Sequence, residues 1–367
     1  MSNPAVANSL AEDFGGVTPV PVPSLANIWA KKYIQNLQSS SAKSELQAHS
    51  LEEILSSEGR IETATHLQNS LRFATAQAWA RTENLLIGQN RSHGIDDELI
   101  DPWQIATDSR NLFEQTFKIY TDNAQSRIFS FDLATEGQDS HYFESKTQLP
   151  TTGQLSVAIA SNVGKIRKKY TSIDPRAIGF VSMQFHYSGQ ILLESLAPLE
   201  QLVVSSYFKV IDDHLYMPLQ RCYDAAGYLE YDDAKMQAVR SLLTLTTSIA
   251  IGVSQKTLVM HSDYQCHSGV LSLPQVRISS LRDIEMFQVY LCLCVLEQSV
   301  SPIQQELFPI CIMLYPPLKV SWELVRTLLR LLEQEMHDHL GDLYMQEFEP
   351  YLTALNEMFG DDVLPEA

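Results

Sequence analysis

Residues 277–316 constrain the fold more than any other part of the chain. Within them Leu281, Ile284, Phe287, Leu291 and Val295 recur three or four positions apart, which lines one face of a helix. Cys292, Leu293, Cys294 and Leu296 carry the apolar surface almost all the way round. A helix of that kind needs neighbours on every side, so a central position is expected. Ser301, Pro302 and Gln304 then spell a second helix start. They supply a capping side chain, a proline at the first helical position and a capping-box partner. The spacing predicts an αα-hairpin around which the rest of the chain packs.

The same stretch reads Ser280-Leu281-Arg282-Asp283, then a long apolar helix, then Ser301-Pro302-Ile303. This succession resembles the centre of the phycobilisome (phycobiliprotein) family, whose members have a globin-like helical fold. In that family the run is Cys-Leu-Arg-Asp. The Cys carries a linear tetrapyrrole (a bilin), the Arg reaches a propionate and the Asp reaches the pyrrole nitrogens. The family's next helix often opens with a Thr-Pro-Ile-like run. The likeness covers roughly the last 160 residues, about one small domain. By resemblance, Arg282 and Asp283 are the candidate cofactor-binding residues, and Ser280 stands at the attachment position. A hydroxyl is a much poorer nucleophile than a thiol and makes no thioether. The resemblance thus implies a divergent member that has lost its covalent chromophore.

The function implied by this resemblance is that of a non-enzymatic, phycobilisome-related protein of a photosynthetic, cyanobacterial type of cell. It would bind light-harvesting or photosynthetic proteins as a structural or regulatory component, in the cytoplasm or at the thylakoid surface, with oligomerisation left open. The alternative keeps a ligand: a noncovalent tetrapyrrole-binding sensor, carrier or chromophore-handling protein. Against it stands the simpler reading of Arg282 and Asp283 as a surface ion pair, since an acidic residue is favourable near a helix start.

The expected fold class is mainly α. It comprises a globin-like helical C-terminal domain, a mostly helical N-terminal domain and a small β-hairpin. The boundaries read as a disordered tail at 1–23, a helical domain at 24–195, the phycobilisome-like domain at 196–360 and an acidic tail at 361–367. A net charge of −18 argues against nucleic acid and anionic membranes, which repel it. No uninterrupted apolar run reaches the ~18–20 residues that span a bilayer. Residues 1–16 lack the basic and apolar regions of a secretory signal. The five cysteines, with their apolar neighbours, read as reduced, buried thiols of a cytosolic protein.

Several residues invite chemistry and are weighed against plainer roles. Trp79 reads as a core anchor. The acidic residues around Asp96 and Asp101 lack the spacing and glycine of a calcium loop. The cluster Lys165-Ile166-Arg167-Lys168-Lys169 is too short for a nucleic-acid site and suits a solvated helix end. Ser188-Gly189 between β-prone runs predicts a hairpin, with His186 inside it. Asp212, Asp213 and His214 are consecutive on a helix, so they point about 100° apart and do not share one ion. An enzyme would need His186 and this cluster in one pocket. His261, Cys266 and His267 lack paired zinc spacings, and Cys266 is a minor alternative attachment site. His337 and His339 are two apart, where a metal pair favours four. Walker, dinucleotide, zincin and nucleophile-elbow motifs are absent from the sequence.

Overall fold

A computed structural model describes residues 24–35, 51–86, 94–96, 99–133 and 141–365. The expected N-terminal tail lies outside them, as do the start of the long helical pattern after residue 43, part of the acidic loop and the last two residues. In chain order the elements are α1 (Leu25–Gln35), a helical turn at 51–55, α2 (Ser57–Leu86), α3 (Pro102–Thr121), β1 (Arg127–Leu133), β2 (His141–Thr147), α4 (Thr152–Thr171), α5 (Ala177–Glu194), α6 (Pro198–Tyr216), α7 (Leu219–Ala226) and α8 (Ala234–Met260). A two-residue β3–β4 pair (Gln265–Cys266, Gly269–Val270) leads into α9 (Pro274–Glu297). A π-helical turn (Pro302–Leu307), α10 (Phe308–Leu314), α11 (Trp322–Met345) and α12 (Glu349–Met358) complete the fold. The protein is mainly α with a small antiparallel hairpin.

α9 is the central helix that its composition demands. Every residue from Ile284 to Leu296 is buried. It packs on α8, on α7 and on the π-helical turn. One continuous hydrophobic core runs from Leu25 in α1 to Phe359 beyond α12, and it includes residues on both sides of the boundary expected near 195. Pro218, a residue that should kink a helix run from 198 to about 226, falls at the break between α6 and α7; of Asp232 and Asp233, either of which could open the next helix by sequence, Asp233 caps α8 through the Lys235 N–H.

Three local expectations are corrected. The segment around Ser188-Gly189 is not a hairpin but the interior of α5. A short apolar run fits a buried helix as well as a strand, and here burial on all sides decides for helix. Ser188 Oγ donates back to the Gln184 carbonyl at 2.8 Å. Gly189 packs on α6 and α3, where a Cβ would meet the Phe208 and Phe113 rings at ordinary contact distances of 3.5 and 3.7 Å. The hairpin is instead β1 with β2, paired from Arg127↔Thr147 to Leu133↔His141, in a region whose second half reads as irregular. Ser301 caps nothing: it is already helical, and its N–H donates to Ser299 Oγ at 3.1 Å. The link closes one turn earlier, at Gln298, in a left-handed conformation (φ 52°). Gly341, a reasonable helix stop by its sequence, interrupts α11 with a non-helical backbone (φ 67°, ψ 167°), so that the helix is two pieces joined at a kink.

Trp79 is half-buried against the core, whereas Trp29 in α1 is fully buried. Among the described residues α8 is the one helix long and apolar enough to cross a membrane, and half of that stretch is buried inside the protein. Polar residues such as Gln255 and Lys256 interrupt it, and its buried face belongs to the core.

Candidate functional site

The residues singled out by the resemblance lie together in sequence near the start of α9, but they face different neighbours. Ser280 is half-buried and lines a small crevice with Ser254 and Thr257 of α8 and Leu324 and Leu328 of α11. Arg282, two residues on, turns towards α6. Its guanidinium sits 4.2 Å above the Tyr216 ring, and Nη1 donates to Asp212 Oδ2 at 3.4 Å. The tether position and the Arg282 position thus do not open on one groove.

Asp212 also bonds His186 Nδ1, at 2.7 Å. His186 Nε2 lies 3.0 Å from the Gln190 amide nitrogen. The tautomer protonated on Nδ1 satisfies both contacts, with Asp212 and Gln190 as partners. This resembles a base with its orienting carboxylate, but the second ring nitrogen is occupied by Gln190. His214 lies elsewhere and bonds Ser156 Oγ at 2.8 Å. Burial pushes its pKa down to about 4, with Asp213 opposing and Lys32 adding to the shift. The structure therefore joins His186 to Asp212 and separates both from His214.

Arg282 and Asp283 each keep a buried polar atom without a partner. These are Arg282 Nε, a donor, and Asp283 Oδ1, an acceptor. Burial raises the Asp283 carboxyl to about 6, against the opposing charge of Arg282. Burial would lower the pKa of Arg282, but Tyr216, Asp212 and Asp283 outweigh it and raise it. Tyr216, Cys311 and Tyr315 feel the Asp283 charge, which adds to the burial that raises their own pKa values. Each of these two atoms, a donor and an acceptor on adjacent residues, is left where a further polar group could complete it.

The next polar residue of α9 behaves differently. Glu285 accepts from Lys32 Nζ at 2.8 Å and from Thr247 Oγ1 at 2.8 Å. Lys32 lies 3.4 Å from Asp213 Oδ2, which also accepts from the Tyr33 hydroxyl at 2.9 Å. Lys209 donates to both Asp213 oxygens, at 2.9 and 3.0 Å. Lys32 also lies 3.6 Å over the Trp29 ring. All four carboxylate oxygens of this network are partnered, and two ammoniums balance two carboxylates. Burial alone would raise the Asp213 carboxyl, but Lys209 and Lys32, with hydrogen bonds from Lys209 and Tyr33, hold it well below the usual range. The network bolts α1 to α6, α8 and α9. A second buried cluster joins Arg167 of α4 to Glu306, Tyr290 and the Leu215 carbonyl. Its Glu306 is carried inward by the π-helical turn.

Sequence reasoning missed Lys32, Lys209, Glu285 and Glu306, and took Arg167 for part of a solvated helix end. One signal was available: Glu285 sits between Ile284 and Met286 in a helix too apolar to tolerate an unpaired charge. The remaining candidates stay apart. Cys266 Sγ bonds the Gly269 carbonyl at 3.2 Å, His261 Nε2 lies 3.3 Å from Thr327 Oγ1 and His339 Nδ1 bonds the Glu335 carbonyl at 2.8 Å. Among the described residues no group of three or more His, Cys, Asp or Glu is placed to hold a metal ion. All five cysteines are free, and four of them are buried. No protein-family model, no curated protein and no solved structure matches this chain.

Proposed function

We propose that the chain is a non-enzymatic, phycobilisome-related helical protein. It binds light-harvesting or photosynthetic proteins as a structural or regulatory component, in the cytoplasm or at the thylakoid surface. The observation that supports the reading best is the setting of the resembling run. Ser280, Arg282 and Asp283 lie in the first half of a long central helix, within a C-terminal half built almost wholly of helices. Exposed apolar side chains on α8 and α9, such as Val259 and Ile278, suit association through helical surfaces. The immobilised protein is expected to retain phycobiliprotein subunits from an extract of phycobilisome-containing cells. Recovery of no such subunit above an unrelated acidic control would refute the proposal.

A second reading is favoured by the two orphan atoms. A tetrapyrrole bound without a covalent bond would place a propionate on Arg282 and pyrrole N–H groups on Asp283. The separate facing of Ser280 does not oppose this, because no tether is required. Mixing the protein with bilin and with haem should shift the pigment's absorbance, and Arg282→Gln should abolish the shift. A pigment spectrum unchanged by the wild-type protein removes this reading and leaves the first one standing.

A further inference from the structure

One oxygen of Asp212 serves two side chains on different helices. Oδ2 accepts from His186 Nδ1 of α5 at 2.7 Å and from Arg282 Nη1 of α9 at 3.4 Å. The second contact is near the outer limit of a hydrogen bond, so Arg282 is held weakly. Its Nε is buried without a partner, and its Nη2 makes no hydrogen bond among the described residues. Nε and Nη2 form one edge of the guanidinium, the kind of edge that takes a carboxylate through two parallel bonds. We propose that this edge of Arg282 receives a ligand carboxylate and that His186, acting through Asp212, makes the affinity rise as the medium turns acid. This rests on the tetrapyrrole reading, in which a propionate reaches Arg282, and adds a control of that contact.

Three observations carry the proposal. First, Asp212 opposes the ligand. With His186 neutral, its carboxylate offsets the charge of Arg282 and repels an incoming carboxylate. A protonated His186 turns the 2.7 Å contact into a charged pair, draws Oδ2 away from Nη1 and offsets that repulsion. Second, the ring takes the proton where it stands. His186 Nε2 faces the Gln190 amide at 3.0 Å, and Gln190 makes no other hydrogen bond among the described residues. Its amide is free to turn and offer oxygen to a protonated Nε2. Third, the imidazole and the Asp212 carboxylate each keep 21% exposure, so solvent reaches them without opening of the core. The other charged groups around them are Lys209 and Asp213 on α6, Asp283 on α9 and, on α2, Arg81, which pairs with Glu194 of α5. Asp283, whose carboxyl burial pushes up to about 6, changes charge over the same pH range and has to be separated from His186.

Titration of the full chain with a bilin and with its dimethyl ester, followed by absorbance, tests this. Measurements at about pH 5.5 and about pH 7.5 bracket the range in which imidazoles change charge. The free acid should bind about tenfold more tightly at the lower pH, the coupling that corresponds to one pK unit. The ester should show no such preference. His186→Gln keeps an N–H for Asp212 but gains no charge, and should lose most of the preference. Asp283 titrates in both proteins, so the difference between them reports on His186. Asp212→Asn removes the competing charge and should bind at the higher pH as tightly as the wild type does at the lower. If the wild type binds the bilin at neither pH, the tetrapyrrole reading and this inference fall together. Equal wild-type binding at the two pH values, or a full preference in His186→Gln, leaves that reading standing and overturns the inference alone. The same preference for the ester, or weaker binding by Asp212→Asn at the higher pH, also overturns it.

Discussion

Two buried ionic places sit three residues apart on α9, and they are built in opposite ways. Around Glu285 every carboxylate oxygen is partnered, two lysines balance two acids, and four helices meet. At Arg282 and Asp283 a donor and an acceptor are left without partners. Burial is common to both, so burial does not distinguish a structural ion pair from a place that is incomplete without something else. The count of satisfied atoms does. Taking charges out of water costs several kcal/mol per ion, which geometry must offset. The Glu285 network offsets it internally. The Arg282–Asp283 pair does so only in part, which is why its carboxyl titrates near 6.

The largest expected effect is on the satisfied side. Glu285→Ala leaves two buried ammoniums, Lys32 and Lys209, sharing the single carboxylate of Asp213, and should cost about 3–5 kcal/mol in denaturant unfolding. A cost below about 1 kcal/mol would mean that the network is ornamental and would erase the contrast.

The pH dependences should run in opposite directions. His214, with the network, has a folded pKa lowered from 6.5 to about 4. Its neutral form contributes stability that is present above pH 6.5 and lost as pH falls towards 4, up to about 3 kcal/mol. Asp283 has a folded pKa raised from 3.8 to about 6. It contributes stability that is full below pH 3.8 and lost as pH rises through 6, also up to about 3 kcal/mol. The wild-type profile between pH 4 and 6.5 should therefore be flatter than either single variant. Asp283→Asn should steepen the acid loss, and His214→Gln should leave a profile that falls with rising pH. Parallel profiles for the two variants would contradict the assignment.

At neutral pH Asp283→Asn should be stabilising or neutral, since it removes a charge that lacks a full set of partners. A loss above about 1 kcal/mol would show that the pair is as structural as Glu285. The smallest effect is expected for Ser280→Cys, within about 0.5 kcal/mol, because its crevice is small and partly exposed. Incubation of that variant with a bilin and a lyase then asks whether the new thiol is reached. No adduct is expected if Ser280 remains turned towards α8 and α11.

Much of the fold was legible because it rests on local rules. The periodicity of α9, the proline break between α6 and α7 and a start of α8 at Asp232 or Asp233 each depend on a few neighbouring residues. The errors share a different cause. Ser188-Gly189 has the composition of a turn, but α2, α3 and α6 cover it, and a covered apolar run prefers the helix that satisfies its own backbone. β2 has little strand signal of its own and exists because β1 pairs with it. Ser301 matches a capping pattern, yet the chain has already turned at Gln298.

The candidate site divides along the same line. The adjacency of Ser280, Arg282 and Asp283 is a property of the sequence, and so is the impossibility of Asp212, Asp213 and His214 converging, because helical geometry spreads consecutive side chains. Several of the partners that matter come from far along the chain: His186, 26 positions away, for Asp212 and Lys32, 253 positions away, for Glu285. The sequence by itself determined an acidic chain of helices around one apolar helix, since hydrophobic spacing is written residue by residue. Which buried charges are complete, and which wait for a partner, was decided by the tertiary structure alone, because pairing depends on the distance between helices that no local pattern encodes.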